Sequence, residues 1–289
     1  MFDISKIKPF KEFKYWFVRT SLYTYVVEGT GLETPIAYDC MQDSFIIKDE
    51  HSAYINEHGD EIRAAFKEFL GRPEAAIGFM IELPTEPTDE ILDLYDRMIY
   101  GVSLIRAKRN GTPDPDVAIP KIKKILDWLH STDFYTTPAS SKWHEVFKSG
   151  LVLHTLKVAN CATELQVISK FSKVRIEDII LCALIHDWGK IGCYEPYNKN
   201  VKNDETGEWE SVPAYKLIDS KFPFGHCTTS LILAQQAFVL SLDEMLALRW
   251  HHGDWDVSPK EEWDLRAANA AVPLVFMLQF ADRLAITNY

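Results

Sequence analysis

The sequence contains no run of about 18 consecutive apolar residues, the length that a membrane-spanning helix requires. Its first residues also lack the apolar segment and the small-residue cleavage site of a secretory signal. Cysteine is scarce, and the five thiols form an odd, scattered set that does not suit a framework of disulfides. We therefore expect a cytoplasmic protein that has no membrane span and keeps its cysteines reduced.

Positive charge is also in short supply. Lysine and arginine total 31 residues against 42 acidic residues, which gives a formal net charge of −11. A protein that holds long nucleic acid needs many basic contacts to phosphates, so this balance argues against such a partner. The 289 residues are 47% apolar and 25% charged, a composition typical of a globular protein with one large domain or two smaller ones.

Residues 110–120 (NGTPDPDVAIP) are a candidate domain boundary, because three prolines and a glycine fall within these eleven residues. Strand-like segments and a long helical pattern that follows Thr88 precede this stretch. Helical patterns dominate after it, near residues 119–131, 150–168, 176–188, 225–240, 242–252 and 265–287. We predict a mainly α protein in which an α or α+β region of unknown role, residues 1–115, precedes a helical domain of residues 116–289.

A loop of about 35 residues, 191–225, interrupts the series of predicted helices. Loops of that length inside compact domains are usually functional or mobile. Within it, the stretch NVKNDETGEWESV (200–212) predicts a small hairpin.

Polar residues fall on the apolar faces of five predicted helices. At helical spacing these residues are His154, the pair His186–Asp187, His226, His251 and Asp282. A single inward histidine is usually satisfied by ordinary hydrogen bonds, but aspartate is almost never buried without a partner. A shared cation would compensate the carboxylates and use the neutral imidazoles as ligands. The pattern therefore predicts a metal site between the helices.

The order of these residues resembles that of the HD-domain superfamily of metal-dependent phosphohydrolases. The matching strings are SGLVLHTLKVA, LIHDWGK, FPFGHCTTS, RWHHG and LQFADRLA. The chain is most similar to bacterial and phage HD hydrolases that carry additional histidines, and HD-type exoribonucleases show a similar order. The resemblance covers residues 140–289 and implies an HD-type helical bundle there.

Carried over residue by residue, the resemblance implies two divalent metals. The first would be bound by His154, His186, Asp187 and Asp282. Asp187 would bridge to the second, which His226 and His251 would complete. A set of nitrogen and oxygen ligands without thiolate suits Mn, Fe, Ni, Co or Mg. Cys193 and Cys227 lie near these residues in sequence, and we interpret both as structural.

Two cations that share a water would lower its pKa and produce a bridging hydroxide as the nucleophile. The implied activity is that of a phosphomonoesterase or phosphodiesterase acting on a nucleotide, cyclic nucleotide or short oligonucleotide. Asp187 and Lys190 are the predicted catalytic residues, and Lys190 either reaches toward a phosphate or remains a solvated cation at a helix end.

Three further residues are candidates for substrate binding. His252 either joins the second metal, faces the substrate or is simply solvated. His144 either lines the pocket or is exposed in a loop, and Arg283 either contacts phosphate or makes a surface ion pair.

Two other functions remain open. Some HD-superfamily oxygenases use the same six ligands at a di-iron centre, and they would show oxygen-dependent turnover of a non-phosphate substrate. A non-catalytic module that senses a nucleotide would bind without turnover. HD hydrolases often oligomerise, so the resemblance also implies a possible homo-oligomer.

Overall fold

The structure is a computed structural model that describes residues 14–19, 24–29, 32–39, 42–46, 51–70, 72, 83–111, 115–166, 168, 171, 173–204, 206–218 and 223–287. Within these residues the chain is mainly helical, and it starts with a region that combines strands and a helix. This confirms the predicted class of a mainly α protein with a smaller α+β region at its N-terminal side. None of the helices in these ranges combines the length and the apolar character that a bilayer crossing requires.

The N-terminal region is an antiparallel meander packed on one helix. Its elements are β1 (Tyr15–Arg19), β2 (Thr24–Gly29), β3 (Ile36–Asp39), β4 (Ser44–Ile46) and α1 (Ser52–Leu70), and the strand order is β1-β2-β3-β4. Alternate strand residues are buried, as the two-residue period of a half-buried strand requires. Phe66 of α1 meets this face, with ring centroids 5.0 Å from Tyr25 and 4.9 Å from Tyr38. These contacts create a small apolar core of its own.

The remaining helices form a bundle around a second apolar core. They are α2 (Asp89–Arg109), α3 (Ile119–His130), α4 (Gly150–Leu165), α5 (Ile176–Ile185), α6 (Gly225–Ala237), α7 (Leu242–Trp250), α8 (Glu262–Ala271) and α9 (Pro273–Ala285). Helix α4 packs against α5 and α9, and α9 also packs against α7. From Ile179 to Ile185 helix α5 is entirely apolar and buried, so its C-terminal end lies deep in the core.

Helix α2 lies on the N-terminal side of the predicted boundary, yet its apolar side chains belong to the core of the bundle. Its Tyr95 hydroxyl donates to the carbonyl oxygen of Leu184 at 2.8 Å and accepts from Trp188 Nε1 at 2.9 Å. Helix α2 therefore supports the end of α5 directly. Residues 112–114 of the boundary stretch lie outside the described residues, and the domain division at residue 115 stays a prediction.

The predicted helix 265–287 is wrong as a single element, because it is interrupted at Pro273. Proline has no N–H to donate and disfavours helical backbone in the residue before it. Val272 is accordingly extended, with φ −128° and ψ 103°, and it separates α8 from α9.

The predicted hairpin is present and longer than expected. Strands β5 (Tyr194–Lys202) and β6 (Trp209–Leu217) pair antiparallel along their whole length, while residue 205 near the turn lies outside the described residues. A hydrogen bond from Ile218 N to the Cys193 carbonyl oxygen, 2.9 Å long, closes the base of the hairpin. The segment therefore leaves the bundle and returns to it at adjacent points.

Candidate metal centre

The structure brings all six predicted metal ligands together, from five different parts of the bundle. His154 lies in α4 and Asp282 in α9, while His226 is the second residue of α6. His186 and His251 directly follow the last residues of α5 and α7, and Asp187 comes next after His186. His154, His186, Asp187 and His251 are buried.

Asp187 lies between two pairs of imidazoles. Its Oδ2 atom is 3.2 Å from His186 Nε2 and 3.7 Å from His154 Nε2. Its Oδ1 atom is 3.6 Å from His251 Nε2 and 3.7 Å from His226 Nε2. Each carboxylate oxygen therefore faces a different pair of ring nitrogens.

Asp282 belongs to the first of these two groups. Its Oδ1 atom is 3.0 Å from His154 Nε2 and 3.8 Å from His186 Nε2. Ligand-competent atoms of His154, His186 and Asp282 lie within 4.8 Å of one another, and so do those of the set His186, Asp187 and His251. These buried clusters have the composition and spacing to hold a metal ion.

The ends of α5 and α7 fix the orientation of two imidazoles in the same way. His186 Nδ1 donates to the carbonyl oxygen of Ala183 at 2.7 Å, and His251 Nδ1 donates to that of Leu248 at 2.8 Å. The last carbonyls of a helix have no intrahelical partner, and a carbonyl can only accept a hydrogen bond. The proton of each neutral ring is therefore on Nδ1, which leaves a lone pair on Nε2.

Two of the atoms at the centre of the cluster have no hydrogen-bond partner although they are buried. They are His186 Nε2 and Asp187 Oδ1. Burying such groups without a partner costs free energy, and a lone pair that faces a carboxylate oxygen adds repulsion. One divalent cation in each group, beside His186 Nε2 in the first and beside Asp187 Oδ1 in the second, would satisfy these two atoms, so the residues present fit bound metal.

Lys190 is buried and in contact with Asp187. Its Nζ donates to Asp187 Oδ2 at 2.7 Å and to the carbonyl oxygen of Ala139 at 2.9 Å. Burial alone would raise the pKa of Asp187, but Lys190 and the neighbouring imidazoles outweigh it and hold that pKa well below its usual range. Asp187 is therefore ionised at neutral pH.

The turn that carries Asp187 packs directly on the first turn of α6. Gly189 N donates to Ser230 Oγ at 2.8 Å, and a Cβ atom on Gly189 would overlap the carbonyl oxygen of His226. The missing side chain of Gly189 thus allows His226 to approach Asp187.

We expect Gly189→Ala to lower the free energy of unfolding by about 1–3 kcal/mol, because a clash with backbone atoms cannot be relieved by rotating a side chain. Chemical unfolding measures this loss. Gly207→Asn is the matched control, since Gly207 has φ 74° with open space around its Cβ position and asparagine tolerates left-handed backbone. A loss no greater than that of the control would contradict the close packing.

The structure places His144 and His252 beside the cluster and Arg283 farther out. The His144 ring is 4.7 Å from that of His154 between centroids, and the His252 ring is 4.5 Å from that of His226. Burial lowers the pKa of His144 to about 3 and that of His252 to about 4.

A cavity of about 960 Å³ opens beside the cluster. His144, Lys190, His226 and His252 line it, so the predicted substrate-binding histidines and the buried lysine share one space. Arg283 is not among the described residues that line the cavity.

Glu145 is a polar neighbour of the cluster that the sequence analysis missed. It has left-handed backbone, with φ 41°, and its Oε2 atom lies 3.7 Å from His154 Nδ1. Lys157 Nζ donates to the other carboxylate oxygen at 2.6 Å. Glu145 lies in an irregular segment, where helical periodicity gives no signal.

Cys227 also lies closer to the cluster than its interpretation as structural suggests. Its Sγ atom is 3.6 Å from His226 Nε2 and 3.7 Å from His251 Nε2. Cys193, in contrast, contacts backbone: its Sγ lies 3.2 Å from the carbonyl oxygen of Gly189.

No protein-family model, curated protein or solved structure matches the chain. The side chains of the site and their geometry are therefore the basis on which a function can be inferred.

Proposed function

We propose that this chain is a metal-dependent hydrolase of phosphate esters, the activity that its resemblance to the HD-domain superfamily implies. The observation that carries the proposal is the position of Asp187, whose two carboxylate oxygens face two separate pairs of imidazoles. A carboxylate shared in this way is typical of sites with two metal ions. The proposed substrate is a nucleotide, a cyclic nucleotide or a short oligonucleotide.

Each group of side chains would hold one divalent cation, drawn from Mn, Fe, Ni, Co or Mg. The first would be held by His154, His186, Asp187 and Asp282, and the second by Asp187, His226 and His251, with His252 beside it. When bound, such ions polarise phosphoryl oxygens and lower the pKa of water to near neutrality.

The side chains around the ligands have roles of their own in this proposal. Lys190 keeps Asp187 ionised and oriented through its two short hydrogen bonds. His144 and His252 are neutral at pH 7 because burial depresses their pKa values. His144 also lines the cavity, and its buried Nε2 atom has no hydrogen-bond partner among the described residues.

The test is a screen for phosphate or nucleoside release with metal-reconstituted protein. The full chain is stripped with a chelator, reloaded separately with each of the five metals and assayed without oxygen on mono-, di-, tri- and cyclic nucleotides and short oligonucleotides. We expect release with at least one metal and none from Asp187→Asn. Equal release from that variant would overturn the mechanism.

Two other results would replace the proposal. Turnover of a non-phosphate substrate that strictly requires oxygen would establish a di-iron oxygenase, which needs the same six ligands. Nucleotide binding without turnover for all five metals would establish a sensor module.

Glu145 is expected to strengthen the metal site through His154. A carboxylate near Nδ1 favours the ring with its proton on that atom and makes Nε2 a better ligand. We therefore expect Glu145→Gln to weaken metal binding by about 10- to 100-fold, measured by competition with a chelating dye. Glu164→Gln, an exposed change on the same helix as His154, is the control and should leave the affinity unchanged. Equal affinities for the two variants would show that Glu145 has no such role.

A further inference from the structure

We infer that the cavity beside the metal centre binds an aromatic base of the substrate by stacking it on the indoles of Trp143 and Trp255. This inference rests on the proposed function, because it identifies the part of the substrate that extends beyond the phosphate.

The size of the cavity shows that most of it is available to something other than phosphate. Its volume of about 960 Å³ lies at the upper end of the range for small-molecule sites, which is roughly 300–1,000 Å³. Of the six predicted metal ligands, only His226 is among the described residues that line it, together with Lys190. A phosphate held there would leave the larger part of the space for its organic substituent.

The rest of the lining is mostly apolar and aromatic, with Ser140, Ser141 and Thr229 among its polar residues. It includes Trp143, Tyr194, Leu217, Ile218, Trp255 and Ile286. Among the described residues that line the cavity, Lys190 is the one lysine or arginine, and it is already bound to Asp187. The lining therefore has little positive charge to neutralise further phosphates of a substrate. It does have aromatic surface on which a flat aromatic group can pack.

The two indoles border the cavity from segments that also carry residues of the site. Trp143 precedes His144, and Trp255 follows His252 by three residues, with the His252 and Trp255 ring centroids 6.1 Å apart. The two tryptophans are 87% and 68% exposed, so large aromatic surfaces are open to a ligand. Tryptophan exposed at a cavity mouth is typical of a stacking platform, since every nucleobase presents a π face.

Arg283 contacts one of these two indoles. Its guanidinium carbon lies 5.5 Å from the centre of the Trp255 ring, in a cation–π contact. The sequence left Arg283 open between a phosphate contact and a surface ion pair; in this inference it acts on the substrate through Trp255.

The experiment measures binding to the metal-free full chain, in which no turnover occurs. Isothermal titration calorimetry compares adenosine 5′-monophosphate with ribose 5-phosphate, which has the same phosphate and sugar without the base, and with adenosine. We expect adenosine 5′-monophosphate to bind at least about tenfold more tightly than ribose 5-phosphate. Trp143→Leu and Trp255→Leu should each weaken its binding by about tenfold and leave ribose 5-phosphate unaffected.

Matched controls come from the chain itself. Trp209 and Trp263 are 72% and 77% exposed but do not line the cavity, so Trp209→Leu and Trp263→Leu should bind both probes as the parent protein does. A second pair of probes, phenyl phosphate and cyclohexyl phosphate, separates stacking from apolar contact, because the two differ little in size but only one is aromatic. We expect phenyl phosphate to bind more tightly.

Three results would overturn the inference: equal affinity for adenosine 5′-monophosphate and ribose 5-phosphate, equal effects of the cavity and control substitutions, or equal affinity for the two ring phosphates. Failure of the proposed function is distinguishable from these. If adenosine binds through both tryptophans but no metal-loaded preparation releases phosphate, the base site stands and the hydrolase proposal falls. If phosphate is released with no preference for a base, the hydrolase stands and this inference falls.

Discussion

Replacement of Asp187 by asparagine is expected to remove divalent metal from the purified protein and to lower phosphate release by about 10³-fold or more. Asparagine keeps the volume of the side chain but replaces one carboxylate oxygen with an NH₂ group. The NH₂ group would lie beside ring nitrogens that face a carboxylate oxygen of Asp187 in the parent protein, such as those of His186 and His251. One of the two groups of ligands thus loses its shared oxygen, and the site loses the charge that a divalent cation needs.

The thermal stability of the protein reports the same change without any assay of turnover. A metal at 100 times its Kd stabilises the folded state by about 2.7 kcal/mol, which corresponds to a rise in Tm of roughly 5–10 °C for a protein of this size. We expect this rise in the parent protein and in Asp243→Asn, a control at an exposed position. Asp187→Asn should show no rise, and a variant that retained its full metal content would contradict the bridging role of Asp187.

The second large effect is expected at Arg106, which is not one of the predicted metal ligands. Arg106 is buried, and it donates to both carboxylate oxygens of Glu244, to Asp178 Oδ1 at 2.5 Å and to the Val239 carbonyl oxygen at 3.1 Å. Removing one member of a buried ion pair leaves the other charge uncompensated, which costs about 3–5 kcal/mol. We expect Arg106→Met to lower the free energy of unfolding by that amount, as measured by urea denaturation.

A double-mutant cycle tests this explanation. Replacing both members of a buried pair with apolar residues is often close to neutral, so Arg106→Met combined with Glu244→Met should recover much of the loss. Arg266→Met is the control, because the ion pair of Arg266 with Glu262 is exposed, and it should cost less than about 1 kcal/mol. An equal cost for Arg106→Met and the control would rule out the buried network as a major source of stability.

The residues of the candidate metal centre could be brought together from the sequence because they lie on helices or just after them. The 3.6-residue period fixes which face of a helix is buried, so a histidine or aspartate in phase with that face is placed in the core without any structure. Asp282 in α9 and His154 in α4 illustrate this. The same period also predicts the direction of the first side chain after a helix, and His186, which follows the last residue of α5, is an example.

Features outside that period could not be predicted. Glu145 and Trp143 lie in an irregular segment, and their proximity to the site depends on how that segment folds over the bundle. The contribution of α2 to the bundle core was also missed, because the proline-rich stretch after it is a local signal that does not reveal what the helix packs against. The proline at position 273 is itself a signal for a helix break. The apolar pattern continues across it, and this pattern favoured a single helix.

The hairpin β5–β6 connects Lys190 to His226, and its two ends are joined at the base by the hydrogen bond between Ile218 and Cys193. An insertion closed at its base can change in length or composition while the elements on either side keep their places. Tyr194 and Leu217, which pair with each other at the base of the hairpin, line the cavity, whereas none of the six predicted ligands lies within the hairpin. In the proposed hydrolase, this architecture would allow substrate preference to diversify by exchange of a surface module, while the reaction chemistry stays constant.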